Sequence, residues 1–147
     1  MRNKPFVVLL VEDDEHDIVA VKRAWKQNDI ANPLHVVRSG AECLDYLHQR
    51  GKYSAPASAP APGILLLDIK MPGMDGFVVL EEIRRDERLR RLPMVVLTGS
   101  DARTDRNRSY DLGANAYIQK PLEFKDFAEA IRVINQFWEL AELPDLS

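Results

Sequence analysis

The chain has 147 residues, 46% hydrophobic and 29% charged, with a formal net charge of −3. That size suits one domain with a sizeable core, and so small a net charge gives no electrostatic drive toward nucleic acid or anionic membrane. The lone cysteine, Cys43, excludes an intrachain disulfide and any CxxC metal or redox pair, and no apolar run approaches membrane-spanning length, so a cytoplasmic protein without nucleic-acid or membrane partners is expected.

The first apolar run, Phe6 to Val11, ends in Glu12, Asp13 and Asp14. Ile18, Val21 and Trp25 then recur at helical spacing and predict a helix over roughly 15–28. A short run at 34–37 precedes a helix over 40–50, in which Cys43, Leu44 and Leu47 share a face and the thiol is an inert core group. Residues 51–62 are rich in Pro, Ala and Ser and are expected to form an extended, poorly packed loop. The run at 63–68 closes on Asp68, and Val79, Leu80 and Ile83 mark a helix over 75–86. A basic cluster, Arg84, Arg85, Arg88, Arg90 and Arg91, reads as a solvated face. The run at 93–98 closes on Thr98. Residues 102–111 offer almost no apolar stripe, so the helix expected there is weakly anchored and a candidate moving part, with Gly113 as its stop. The run at 115–118 leads to Lys120 and Pro121, a candidate cis peptide. The last helix, 123–141, carries Phe124, Phe127, Ala128, Ile131 and Trp138 on one stripe and Ala130, Val133, Phe137 and Leu140 on another face. Residues 1–141 form the expected domain, and 142–147 a short tail.

Five apolar runs alternating with five helices predict a doubly wound α/β fold, a (βα)5 unit with a five-stranded parallel sheet in the order 2-1-3-4-5. In that order strands 1 and 3 are neighbours whose connections diverge, and the crevice at their carboxyl ends is where such sheets bind ligands. Glu12, Asp13, Asp68, Thr98 and Lys120 all fall there. Taken alone, Glu12-Asp13-Asp14-Glu15 is an ordinary acidic first turn and Lys120 an ordinary surface lysine. At the ends of different strands they point to one site. Crowded carboxylates call for a hard cation, and Mg²⁺, with Mn²⁺ as a substitute, suits two or three of them plus a backbone carbonyl. A cation and a lysine are what phosphoryl transfer needs, and a carboxylate can be its nucleophile. Asp68, the single central acid, is the candidate nucleophile, with Thr98 as hydroxyl donor and Gly99 leaving room. His16, His35 and His48 show no ligand spacing.

The stretches Leu10-Val11-Glu12-Asp13-Asp14, Leu67-Asp68-Ile69-Lys70-Met71-Pro72-Gly73, Val96-Leu97-Thr98-Gly99 and Tyr117-Ile118-Gln119-Lys120-Pro121 resemble, in order, the receiver domains of two-component response regulators, the CheY-like (flavodoxin-like) family. The resemblance implies that Asp68 accepts a phosphoryl group from a histidine kinase. It implies Mg²⁺ held by Glu12, Asp13, Asp68 and the Lys70 carbonyl, phosphoryl contacts from Thr98 and Lys120, and Tyr117 as an aromatic switch. Asp14, one position past the acidic pair, becomes a helix cap. Asn32-Pro33, the 40–47 and 109–117 stretches and Phe137-Trp138 are similar to the stand-alone regulators of bacterial phytochrome kinases, whereas Arg38 departs from that subgroup's pattern.

The length leaves no room for an output domain, so output to an unknown downstream protein is expected. The second apolar face of the last helix predicts a homodimer through helix 4, strand 5 and helix 5, with Val133 and Phe137 at the contact. Arg103, Arg106 and Arg108 would pair there with Glu123, Asp126 and Glu129. An aspartyl phosphohydrolase is the enzymatic alternative, but the second acid it needs falls on Lys70; a phosphorylation-independent scaffold is the other. No GxGxxG or GxxxxGK[ST] pattern supports nucleotide binding.

Overall fold

The computed structural model describes residues 5–146. Five strands, β1 (Val7–Val11), β2 (Leu34–Val37), β3 (Pro62–Leu67), β4 (Met94–Thr98) and β5 (Ala116–Gln119), pair in parallel in the order β2-β1-β3-β4-β5. Five helices alternate with them: α1 (Glu15–Gln27), α2 (Gly40–His48), α3 (Gly76–Arg85), α4 (Arg103–Asp111) and α5 (Phe124–Leu140). The expected doubly wound sheet is present.

Alternating side chains of the central strands feed two separate cores. Leu9, Val11, Leu65 and Leu67 face α2 and α3, where Cys43, Leu47, Val79 and Ile83 meet them. Val8, Leu10, Ile64 and Leu66 face α1 and α5, where Val21, Ala24, Phe127 and Ile131 meet them. Burial on both faces explains why these strands read as unbroken apolar runs. Cys43 lies fully inside the first core, and burial, chiefly, pushes its thiol far above the ordinary cysteine range.

Helix starts follow from capping side chains. Asp14 accepts the amides of His16 (2.8 Å) and Asp17 (3.2 Å) at the start of α1, the cap role assigned to it. Ser39 accepts the Glu42 amide, and Glu42 reaches back to the Arg38 amide. Asp75 caps α3. α4 starts at Ala102 with no side-chain cap and buries only Ser109. By contrast α5 buries Phe127, Ala128, Ile131 and Ile134, a gross burial worth roughly 1.5–3 kcal/mol per large side chain. α4 is thus the least anchored helix, as its sequence predicts.

Three expectations need correction. The Lys120–Pro121 bond is trans, because no peptide among the described residues is cis. Residues 51–62 are not extended: they form two 3-10 turns, Gly51–Tyr53 and Pro56–Ser58. Ala59 is buried there, the Tyr46 hydroxyl donates to the Pro60 carbonyl at 2.7 Å, and the Tyr53 hydroxyl donates to Glu42 at 2.6 Å. The aromatic anchors outweigh the loop-forming composition. Arg84 does not belong to a solvated face: its guanidinium donates to the carbonyls of Gly113, Arg90 and Leu92 and to Asn115 Oδ1. It clamps α3 to the loops entering β4 and β5, while Arg88 donates to the Leu47 carbonyl. Residues of the short tail lie on the domain, with Leu143 partly buried against the α1/α5 core and Leu146 against the α2/α3 core.

Candidate functional site

The parallel register aligns Val11 with Leu67, so the next residues, Glu12 and Asp68, leave the sheet side by side. Glu12 and Asp68 are 1% and 7% exposed, burial that only partners can sustain for carboxylates. Asp68 Oδ1 accepts the Thr98 hydroxyl at 2.8 Å and the Lys70 amide at 2.9 Å. Its Oδ2 accepts Lys120 Nζ at 3.0 Å. The same ammonium donates to Glu12 Oε1 at 2.5 Å and to Asp17 Oδ2 at 2.8 Å. Gly76 opens α3 hard against this strand end: a Cβ there would lie 2.5 Å from Ile69 Cα and 2.8 Å from the Asp68 carbonyl oxygen, so only glycine fits.

Three carboxylates surround one ammonium, which leaves two negative charges in excess when all are ionised. Burial, partly opposed by Lys120 and reinforced by the charge of Asp68, raises the Glu12 carboxyl to about 7. Burial alone would lower Lys120. Its hydrogen bonds to Asp17 and Glu12, and the charges of Asp68 and Glu12, outweigh that and hold the ammonium above the ordinary lysine range. One oxygen each of Glu12, Asp17 and Asp68 lies within 4.8 Å of the others, so the three could share a metal ion, and the charge surplus suits a divalent one.

The site departs from the sequence reading at two acids. Asp13 is exposed and stands outside that trio. Asp17, not singled out from the sequence, stands inside it. The available signal was position: Asp17 lies in the first turn of α1, three residues past the Asp14 cap and so close to the end of β1.

An open cavity of about 620 Å³ lies over Asp68, lined also by Asp17, Lys70, Thr98, Gly99 and Lys120. Gly99 borders open space. Tyr117 is half-buried; its hydroxyl donates to the Ser100 carbonyl at 2.8 Å, and its amide donates to the Tyr110 hydroxyl at 3.1 Å. Lys70 turns its ammonium outward to Asp105 on α4, 3.0 Å away. The Ser100 hydroxyl, chiefly, and Lys70 hold the Asp105 carboxyl below the usual range.

The residues assigned to a dimer face lie apart from the cavity. Arg103, Arg106, Glu123 and Asp126 are exposed, as are Val133 (50%) and Phe137 (59%). An apolar groove of about 490 Å³ runs between β5 and α5, lined by Val95, Ala116, Ile118, Val133, Phe137 and Trp138. Two expected contributors have partners within the chain: Arg108 stacks over the Phe77 ring, and Glu129 pairs with Arg132. No helix among the described residues is long and apolar enough to cross a membrane.

The sequence profile of the response regulator receiver domain matches residues 8–132. Response regulator Rcp1 of Synechocystis is 38% identical over 97% of this chain and 95% of its own length. Its Mn²⁺-bound crystal structure superposes with a TM-score of 0.86, covering 95% of this chain and 99% of that one, at 38% identity. FilR2 of Methanothrix harundinacea, described as a probable methanogenesis regulatory protein, is 38% identical over 91% of this chain and 84% of its own. The phosphorylated cyanobacterial phytochrome response regulator RcpA superposes with a TM-score of 0.88 and 36% identity, covering 97% of this chain and all of that one. With an acidic crevice at the receiver position on a receiver topology, the chain belongs to the response regulator receiver domain family, whose members act as phosphoacceptor switches rather than as turnover enzymes.

Proposed function

We propose that this chain relays a two-component signal by accepting, on Asp68, a phosphoryl group from the phosphohistidine of a histidine kinase. The observation that carries this reading is Asp68 itself, held by the Thr98 hydroxyl, the Lys70 amide and the Lys120 ammonium beside surplus negative charge. In the transfer a carboxylate oxygen of Asp68 forms a bond to phosphorus, the phosphorus–nitrogen bond breaks, and the electron pair returns to the imidazole. Lys120 is already placed to offset charge on the phosphoryl oxygens, and Thr98 can turn its hydroxyl from Asp68 Oδ1 to one of them.

Glu12 and Asp68, with Asp13, Asp17 or the Lys70 carbonyl completing the set, would hold Mg²⁺. Bound there, the ion supplies positive charge against the phosphoryl oxygens. Tyr117 and α4 form the responding surface, because Tyr117 touches Ser100 two residues past Thr98. Likeness to RcpA supports a bacterial phytochrome kinase as the phosphoryl donor. The exposed α5 face and the β5 groove support a homodimer through α4, β5 and α5.

Incubation with acetyl phosphate and Mg²⁺, followed by intact mass measurement, tests the acceptor. One phosphoryl increment that is absent in Asp68→Asn is the expected result. A wild type that acquires none overturns the reading.

A further inference from the structure

α4 is fastened to the rest of the protein unequally along its length. Its last turns have Arg108 over Phe77, the buried Ser109, and the Tyr110 hydroxyl against the β5 backbone. Its first turn has no side-chain cap and exposes Ala102, Arg103 and Thr104. What holds that turn is Asp105. One oxygen, Oδ2, receives the Ser100 hydroxyl at 2.7 Å and faces Lys70 Nζ at 3.0 Å. Ser100 Oγ in turn accepts the Ala102 amide at 3.2 Å.

Lys70 is connected in two directions. Its backbone amide donates to Asp68 Oδ1, the residue borders the cavity over Asp68, and its ammonium pairs with Asp105. An ammonium on a flexible four-carbon stem can serve either partner. A phosphoryl group carries a charge of roughly −1.5 to −2 near neutral pH and three acceptor oxygens, against a single charge on Asp105. The competition therefore favours the phosphoryl group.

We propose that Lys70 and Asp105 form a tether pinning the first turn of α4 beside Asp68 in the resting protein, and that the phosphoryl group takes the Lys70 ammonium from Asp105 and frees that turn. The release half rests on the phosphoacceptor reading above. Asp105 is here a positioning residue, acting on α4 through Lys70 and Ser100. Through Lys70 the tether joins the acceptor to the output helix directly, and it meets the Thr98–Tyr117 route at Ser100, whose carbonyl accepts the Tyr117 hydroxyl.

Hydrogen exchange of the α4 amides, read by mass spectrometry on the full chain, tests this. In the resting protein D105N and K70M should each raise first-turn exchange about threefold to tenfold, the range set by a partly exposed ion pair. The double variant should go no further than either single one, and D105E should restore part of the protection. Added salt should speed exchange in the wild type but not in D105N, because the ion pair is screened. Acetyl phosphate with Mg²⁺ should bring the wild type to the D105N level and leave D105N unchanged. Resting exchange at the wild-type level in both single variants overturns the tether. Intact mass on the same samples separates the two claims. An adduct without any change in α4 exchange overturns the release step alone, whereas no adduct overturns the acceptor reading with it.

Discussion

Replacing Glu12 by glutamine should stabilise the metal-free protein near pH 8 and leave it close to wild type near pH 4. The folded-state carboxyl sits at about 7 against an ordinary 4.5, so the native protein binds that proton more tightly than the unfolded chain does. Stability from the protonated group is fully present below 4.5 and is lost as the pH rises through 7. The gap corresponds to roughly 3 kcal/mol as an upper bound. The opposing Lys120 contact is already contained in that value, so about 1–3 kcal/mol is expected in favour of the variant near pH 8. Urea unfolding in EDTA over a pH series, wild type minus variant, isolates this group from the other titrating acids. The difference should fall between pH 4.5 and 7 and level off above. A difference that is flat across that interval, or a variant less stable than wild type near pH 8, would refute the reasoning. Added Mg²⁺ should stabilise the wild type more strongly as the pH rises, since the ion and the proton compete for the same oxygens.

Two further outcomes are expected. Arg84→Met leaves the Gly113, Arg90 and Leu92 carbonyls without the guanidinium and should cost about 2–4 kcal/mol in denaturant unfolding with an unchanged slope; a cost below about 0.5 kcal/mol would show that solvent replaces the clamp. Phe137→Glu places a charge on the exposed face of α5 and should yield a monomer with near wild-type stability, as read by light scattering across concentrations; a wild type that is already monomeric at every concentration removes the dimer.

The strand order and the meeting of Glu12, Asp68, Thr98 and Lys120 were legible because each lies at or just past the end of a buried strand, where parallel register leaves no freedom. Asp17 was not, because its reach depends on how α1 docks rather than on where a strand stops. Arg84 escaped for a similar reason. Its acceptors are carbonyls as many as 29 residues away, and a carbonyl leaves no trace in side-chain identity. In residues 51–62, composition outweighed Tyr46 and Tyr53 in the reading, although those two rings fix the segment. Local chemistry alone makes Pro121 a candidate for a cis bond, and the backbone passes it in trans.

The sealed thiol of Cys43 has a practical consequence. Alkylation requires thiolate and access, and this group offers neither, since it is fully buried and burial holds its proton on. A maleimide dye or spin label added to the native protein therefore finds no target at Cys43. A cysteine introduced on the exposed side of α4 would be tagged selectively with the native sequence otherwise intact, so distances from that helix could be followed spectroscopically without first rebuilding the interior.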